Sequence, residues 1–127
     1  MRDYKKYFNI PATPEEIFIA LTNPFTIELW SGYKAKMDDK EGTEFTLWDG
    51  DISGKNLTIE NEKKIVQEWY FGEQDNRSIV TIKIHEKKKG SQIELNHTNI
   101  PDEVYDNIVK GWDEYYFGAL KTFFEEE

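Results

Sequence analysis

The chain has 127 residues, 38% hydrophobic and 15% aromatic, which is enough to bury a core within a single domain spanning 1–127. The lack of cysteine excludes disulfides, thiolate catalysis and cysteine-ligated zinc. A formal charge of −9 argues against nucleic acid and anionic membranes as partners, because phosphate groups repel such a surface.

The first third of the chain predicts one strand and two short helices. Phe8 and Ile10 fall on one side of an alternating stretch at 4–10, which indicates a strand. Thr13 and Glu16 fit a capping box with Pro14 in the first helical position, so a helix begins there. The sequence Thr-Asn-Pro at 22–24 ends it and begins a second helix that runs to about Trp30.

From residue 33 the apolar pattern changes to a period of two, which predicts strands at 33–37, 43–48, 52–60, 64–71, 78–87 and 91–99. An Asp-Gly-Asp sequence at 49–51 is a hairpin signal. The turns between these strands are short, so neighbouring strands must be antiparallel.

The stretch at 101–124 predicts one long amphipathic helix with a broad aromatic face, on which Trp112, Tyr115 and Tyr116 lie. Gly111 and Gly118 fall in its interior and each costs about 1 kcal/mol relative to alanine. They either leave room for a ligand or allow close packing on the sheet. The order of elements predicts an α+β fold in which a curved antiparallel sheet of about six to seven strands wraps around this helix.

Several local motifs resemble one known family. They are the opening Ile-Pro-Ala-Thr-Pro-Glu-Glu-Ile-Phe at 10–18, the hairpin around 42–54, the strand at 64–69 and the Gly-Trp and Tyr-Tyr-Phe pairs at 111–117. The chain thereby resembles the C-terminal domain of the activator of heat-shock-protein-90 ATPase. That family belongs to the START and birch-pollen-allergen-like helix-grip superfamily, also called SRPBCC. The resemblance implies a helix-grip fold, a cavity for apolar small molecules in some relatives, and a heat-shock-protein-90 family chaperone as a candidate partner.

The best candidate for a ligand pocket is a set of five aromatic residues, since pockets are mostly apolar with a few polar anchors. These residues are Trp30, Phe45, Trp69, Trp112 and Tyr116. Tyr116 would supply a polar anchor. The alternative is an ordinary aromatic core.

Catalytic and metal sites receive weaker support. His97 is expected to face inward and His85 outward, and no serine stands beside His97 in a way that suggests a nucleophile. Glu68 would be a buried charge only if its face of the strand lined the cavity, which the sequence leaves open. The residues 49–60 fit a calcium-loop pattern loosely, but both flanks indicate strands, so we expect a plain hairpin.

Three functions follow, in order of preference. The first is a non-catalytic domain that binds a small hydrophobic ligand between helix and sheet, without cofactor or metal. The second is a co-chaperone-like protein that docks on a heat-shock-protein-90 family chaperone. The third is an enzyme that uses His97, Tyr116 or Glu68 as acid or base. Without a signal peptide or a long apolar run, we expect a cytoplasmic location.

Overall fold

A computed structural model describes residues 1–126 and shows a six-stranded antiparallel sheet. Its spatial order is β1 (Arg2–Ile10), β6 (Gly90–Ile100), β5 (Ser78–Lys87), β4 (Lys64–Trp69), β3 (Ile52–Glu60) and β2 (Glu44–Leu47). Strands β2 to β6 form a meander, and the first strand returns to pair with the last. This α+β helix-grip architecture confirms the predicted fold class.

The helical segment after β1 begins and ends where the sequence predicted. Helix α1 spans Pro14–Thr22, and the Thr13 hydroxyl accepts a hydrogen bond from the Glu16 amide while the Glu16 carboxylate accepts one from the Thr13 amide. Helix α2 spans Pro24–Ser31 and is capped by Asn23, whose side-chain oxygen accepts from the Thr26 amide at 3.1 Å. Both caps supply acceptors to amides that the first turn of a helix leaves unpaired.

The predicted strand at 33–37 is wrong. Only one bridge forms in this segment, between Lys36 and Thr46, and Tyr33 is exposed. Lys36 and Thr46 of β2 exchange both backbone hydrogen bonds, but a single bridge does not make a strand. The alternation still reports orientation, because Met37 is buried in the core and Ala35 is partly buried against it while the lysines are exposed.

The C-terminal helix is continuous but not uniform. It starts with a 3₁₀ turn at Asp102–Val104, continues as α3 (Tyr105–Lys110), widens into a π-helical segment at Gly111–Tyr116 and ends as α4 (Phe117–Glu125). The Phe117 amide reaches back to the Trp112 carbonyl, five residues earlier. A π-helical turn adds a residue and rotates everything after it, and such turns are frequent at functional sites.

This extra residue explains which side chains are buried. The sequence pattern put Tyr115 on the apolar face, yet 56% of it is exposed, whereas Phe117 is fully buried. Trp112, Tyr116, Phe117 and Leu120 are the buried residues of the segment, and α4 packs against β1 and α2. A pattern with a period of 3.6 cannot anticipate a turn of a different period.

The two glycines of the C-terminal helix are in different surroundings. A Cβ atom on Gly118 would overlap the carbonyl oxygen of Asp113, five residues earlier, so the π-helical turn needs a glycine there. A Cβ atom on Gly111 would meet nothing within 4 Å. Gly118 is thus required by the helix's own π-helical turn rather than by packing on the sheet, while Gly111 faces open space.

The core lies between the inner face of the sheet and the helices. Val80, Ile82 and Ile84 of β5 are buried as predicted. In β4 the face that the sequence left open is settled, because Ile65, Gln67 and Trp69 are buried. In the described part of the chain, no helix has both the length and the apolar character needed to cross a membrane.

Candidate functional site

A cavity of about 390 Å³ lies beside the C-terminal helix, where α3 and the π-helical segment approach the hairpin β2–β3 and the end of β4. Its lining is mainly aromatic. The residues are Tyr33, Trp48, Asp51, Ile52, Trp69, Asn107, Ile108, Gly111, Trp112, Tyr115 and Tyr116. Tyr33 and Tyr115 are each 56% exposed, so they stand at the mouth.

Trp69, Trp112 and Tyr116 from the predicted set line this cavity. Trp30 lies behind it, with its indole N–H donating to the Ala20 carbonyl at 2.7 Å and its ring centroid 5.1 Å from that of Tyr116. Phe45 is buried against Gly54, at which a Cβ atom would overlap the Phe45 ring. The structure therefore places three of the five around the cavity and two in the core. Ligand binding by any of them stays a prediction.

Trp48 is the lining residue that sequence reasoning missed most clearly. It and Asp49 both have left-handed backbone conformations, with φ of 49° and 54°. Such angles are uncommon for a bulky residue and are often found near functional sites. The turn holds the Trp48 ring with its centroid 5.6 Å from that of Tyr116. The Asp-Gly signal at 49–50 predicted the turn, but not that the turn would carry a tryptophan into the cavity.

The two tryptophans in the inner wall are fixed by hydrogen bonds on their far sides. The Trp112 indole N–H donates to His97 Nδ1 at 3.0 Å, and the Trp69 indole N–H donates to Gln67 Oε1 at 3.0 Å. Their rings stack with centroids 4.8 Å apart and an interplanar angle of 26°. Buried indole groups need such partners, and here the partners also set the orientation of both rings.

Behind Trp69 the hydrogen bonds continue through a buried amide pair. Gln67 donates from its side-chain nitrogen to Asn56 Oδ1 at 2.9 Å. Asn56 in turn donates to the Asp38 carbonyl and to Thr43 Oγ1, both at 3.2 Å. Both amides are almost fully buried, so this chain satisfies groups whose burial would otherwise be costly.

A serine does lie beside His97, contrary to the expectation from sequence. Ser78 Oγ is 2.8 Å from His97 Nε2, and both residues are fully buried. They are 19 positions apart, and only the pairing of β5 with β6 brings them together. Sequence spacing carried no signal for this contact.

The hydrogen bonds assign His97 a tautomer that cannot activate Ser78. Trp112 is only a donor, so Nδ1 must accept and Nε2 must carry the proton, which it donates to Ser78 Oγ. The Ser78 hydroxyl then donates to the Thr98 carbonyl at 3.2 Å. Burial lowers the pKa of His97 to about 3, with only weak opposition from the charge of Asp3. The pair therefore has a structural role.

Two further acid and base groups lie on the outer face of the sheet. Glu68 lies on the outer face of β4, where it forms an ion pair with Arg77 at 3.0 Å. His85 Nε2 is on the outer side of β5, 3.0 Å from Glu94 Oε1. Within residues 1–126, no group of three or more histidine or carboxylate residues is arranged to hold a metal.

Tyr116 contributes a polar group to the inner wall of the cavity. Only 3% of the residue is exposed, and burial is the cause that raises the pKa of its phenol. Its hydroxyl makes no hydrogen bond with the described residues, in contrast to the indole groups of Trp69 and Trp112.

Comparison with known proteins identifies the family. The family model described as "Activator of Hsp90 ATPase homolog 1-like protein" matches residues 11–125. The human Activator of 90 kDa heat shock protein ATPase homolog 1 is 25% identical over 114 residues, covering 88% of this chain and 34% of the relative. The homologue of Dictyostelium discoideum is 25% identical over 115 residues, covering 88% and 30%. The chain thus spans about a third of the length of these relatives.

Solved structures agree with this assignment. An HSP90 activator from Plasmodium falciparum superposes with a TM-score of 0.88 at 26% identity, covering 97% of this chain and 96% of that one. The Aha1 dimer from Colwellia psychrerythraea has a TM-score of 0.85 at 15% identity, covering 98% and 97%, which is a likeness of fold alone. By its sequence along 11–125 and by its fold, this chain belongs to the family of activator of Hsp90 ATPase homolog 1-like proteins.

Proposed function

We propose that this protein is a non-catalytic binding domain that holds a small, mainly apolar molecule in the cavity beside its C-terminal helix. The observation that carries the proposal is the hydroxyl of Tyr116, which lines the cavity and makes no hydrogen bond with residues 1–126. The residue is almost fully buried, so a ligand in the cavity would meet an ordered hydroxyl that is free to donate or accept a hydrogen bond.

The dimensions and lining of the cavity support this proposal. Its volume of about 390 Å³ lies within the range of small-molecule sites. Gly111 keeps one side of it open, because any side chain there would project into empty space. Trp69 and Trp112 are held by their hydrogen bonds, so a ligand would meet a wall that is already ordered and would bind without the cost of ordering it.

The four tryptophans allow a direct test by NMR. The indole groups of Trp48, Trp69 and Trp112 line the cavity and that of Trp30 lies behind it, so each indole signal reports on a known place. We expect a ligand found by screening lipids and aromatic metabolites to shift the signals of Trp48, Trp69 and Trp112 more than that of Trp30. Largest shifts at Trp30 would contradict the proposal.

Gly111→Leu provides the blocking variant. Its backbone is already helical, with φ of −59° and ψ of −46°, so leucine fits the helix and fills the cavity. Gly111→Ala is the matched control, since it adds one methyl group and leaves most of the volume. We expect binding to be lost in the first variant and retained in the second. Equal binding to both would overturn the proposed site.

A second candidate function is docking on an Hsp90 family chaperone, and a different surface favours it. Phe25 and Leu29, one helical turn apart on α2, are 78% and 71% exposed. The stretch 11–33 has three acidic residues and no lysine or arginine. Exposed apolar side chains with an acidic surround suit a partner segment that is apolar and basic.

Docking is tested by NMR titration with the Hsp90 homologue of the same host. We expect localised amide shifts on α1 and α2 that weaken with added salt and disappear in a Phe25→Ser, Leu29→Ser double variant. Tyr7→Ser is the control, because Tyr7 is 50% exposed on β1, away from these helices. Docking that survives the double variant, or no shifts at high partner concentration, would argue against this surface.

A further inference from the structure

The lining of the cavity contains one charged residue, and it is acidic. Asp51 is the acidic residue of its lining, and no lysine, arginine or histidine is among the described residues that line it. The whole chain carries a formal charge of −9. An anionic ligand such as a fatty-acid carboxylate would therefore enter against the local charge and find no cation to pair with.

The aromatic lining of the cavity favours cations. Six aromatic residues surround the space, which are Tyr33, Trp48, Trp69, Trp112, Tyr115 and Tyr116. The face of an aromatic ring is the negative end of its quadrupole, and tryptophan and tyrosine faces attract organic cations within about 6 Å of the ring centre.

The hydrogen bonds of the inner wall strengthen this preference. The N–H groups of Trp69 and Trp112 are the positive edges of their rings, and both are bound to acceptors in the core. These edges are therefore not available to a ligand, so Trp69 and Trp112 present only their ring surfaces and offer no donor to an anion. Tyr116 is the one inner hydroxyl, and it can accept a hydrogen bond as well as donate one.

We propose that the cavity selects organic cations, namely amines that are protonated or quaternary ammonium groups attached to an apolar body. This inference rests on the proposed function, since it names the chemical class of the ligand for the same site. The cationic head would lie at the mouth, where Tyr33, Tyr115 and Asp51 are exposed, and the apolar body would pack against Trp69 and Trp112.

Three probes of similar shape separate charge from hydrophobicity. Phenyltrimethylammonium is the cation, tert-butylbenzene is its neutral isostere and benzoate is an anion of comparable size. Affinities are measured from the indole signals of the tryptophans. We expect the cation to bind about 2- to 30-fold more tightly than the neutral isostere, as a cation–π contribution of about 0.5–2 kcal/mol gives, and benzoate to bind most weakly.

The outcomes distinguish this inference from the proposed function. Neutral and cationic probes that bind equally, or a neutral probe that binds better, would overturn the cation selectivity while the apolar site stands. Failure of all three probes would also overturn it, and the wider ligand screen with Gly111→Leu would then decide the proposed function separately.

A matched pair of charge variants locates the selectivity. Asp51 lines the cavity and Asp49, two residues away, is not among its lining residues. Asp51→Asn and Asp49→Asn change the net charge equally, so a general field effect would affect both alike. We expect Asp51→Asn to weaken binding of phenyltrimethylammonium about two- to five-fold, with little change for tert-butylbenzene, and Asp49→Asn to leave both unchanged. Equal effects of the two variants would contradict a local role for Asp51.

Discussion

The two sides of Trp112 differ in how their polar groups are paired. On the side of the sheet, its indole N–H, His97, Ser78 and the Thr98 carbonyl form an unbroken series of hydrogen bonds. On the side of the cavity, the Tyr116 hydroxyl makes no hydrogen bond with residues 1–126 and Gly111 leaves space unfilled. The C-terminal helix provides the cavity side, and β5 and β6 provide the partners on the sheet side.

This contrast distinguishes the part of the core that stabilises the fold from the part that we propose binds a ligand. On the sheet side each buried polar group has a hydrogen-bond partner, so the side chains are held in place. Both ring nitrogens of His97 are occupied, and neither can act as a base towards Ser78. Where a partner and a side chain are missing, we propose that another molecule binds. Substitutions and changes of pH should therefore affect the two sides differently.

The largest effect on stability is expected at Trp112, which both sides share. Trp112→Ala removes a fully buried aromatic ring and leaves His97 Nδ1 without its donor, so we expect a loss of about 3–5 kcal/mol in the free energy of unfolding. Urea denaturation measures it. A loss below about 1 kcal/mol would show that Trp112 does not join the two sides.

Low pH is expected to destabilise the hydrogen-bonded side of Trp112 through His97. The unfolded chain protonates its histidine near pH 6.5 and the folded protein only near pH 3, so the unfolded state binds more protons between these values. The contribution of His97 to stability is therefore complete above pH 6.5 and is lost as pH falls towards 3, by about 1.4 kcal/mol per pH unit.

Comparison with His97→Gln isolates this contribution. The variant is expected to be less stable overall, but the slope of its stability between pH 6 and 4 should be smaller than that of the parent by about 1.4 kcal/mol per unit. Denaturation curves at several pH values give both slopes. Identical slopes would mean that His97 titrates normally in the folded protein.

The two glycines should respond to alanine with opposite signs. Gly118→Ala brings a methyl group onto the Asp113 carbonyl and should destabilise the fold by about 1–3 kcal/mol. Gly111→Ala meets open space in a helical backbone and should stabilise it by about 0.5–1 kcal/mol. Thermal denaturation of both variants is sufficient, and the same sign for both would contradict the distinction.

The smallest effect on stability is expected on the outer face of the sheet, away from Trp112. Arg77 pairs with Glu68 on the outer face of the sheet, and 61% of the arginine side chain is exposed. Such a pair contributes about 0–1 kcal/mol, so Arg77→Ala should change stability little and should not affect ligand binding. A large change in binding would show that the outer face communicates with the cavity.

Most of the fold was predictable because local rules set it. The capping box at Thr13, the period of two through β3 to β6 and the aromatic C-terminal helix all follow from short-range sequence signals. The strand predicted at 33–37 failed because the segment buries Met37 but makes only one bridge to β2. The π-helical turn was not predictable from a regular period, and it exchanged Tyr115 for Phe117 in the core.

The candidate site was only partly predictable, for a different reason. Trp69, Trp112 and Tyr116 were selected as large aromatic residues, and they line the cavity. Trp30 and Phe45 satisfy the same criterion but lie in the core, since sequence does not distinguish a buried ring beside a space from one without it. The contact between Ser78 and His97 depends on strand register across 19 positions, which no local motif encodes.

The measurement that tests the central claim most directly is a ligand screen read by the indole signals, run in parallel on the parent protein and on Gly111→Leu. We predict that at least one small apolar or cationic compound shifts the signals of Trp48 and Trp112 in the parent and leaves them unchanged in the variant. Compounds that shift these signals equally in both proteins, or a complete screen that shifts neither signal, would contradict a ligand site beside the C-terminal helix.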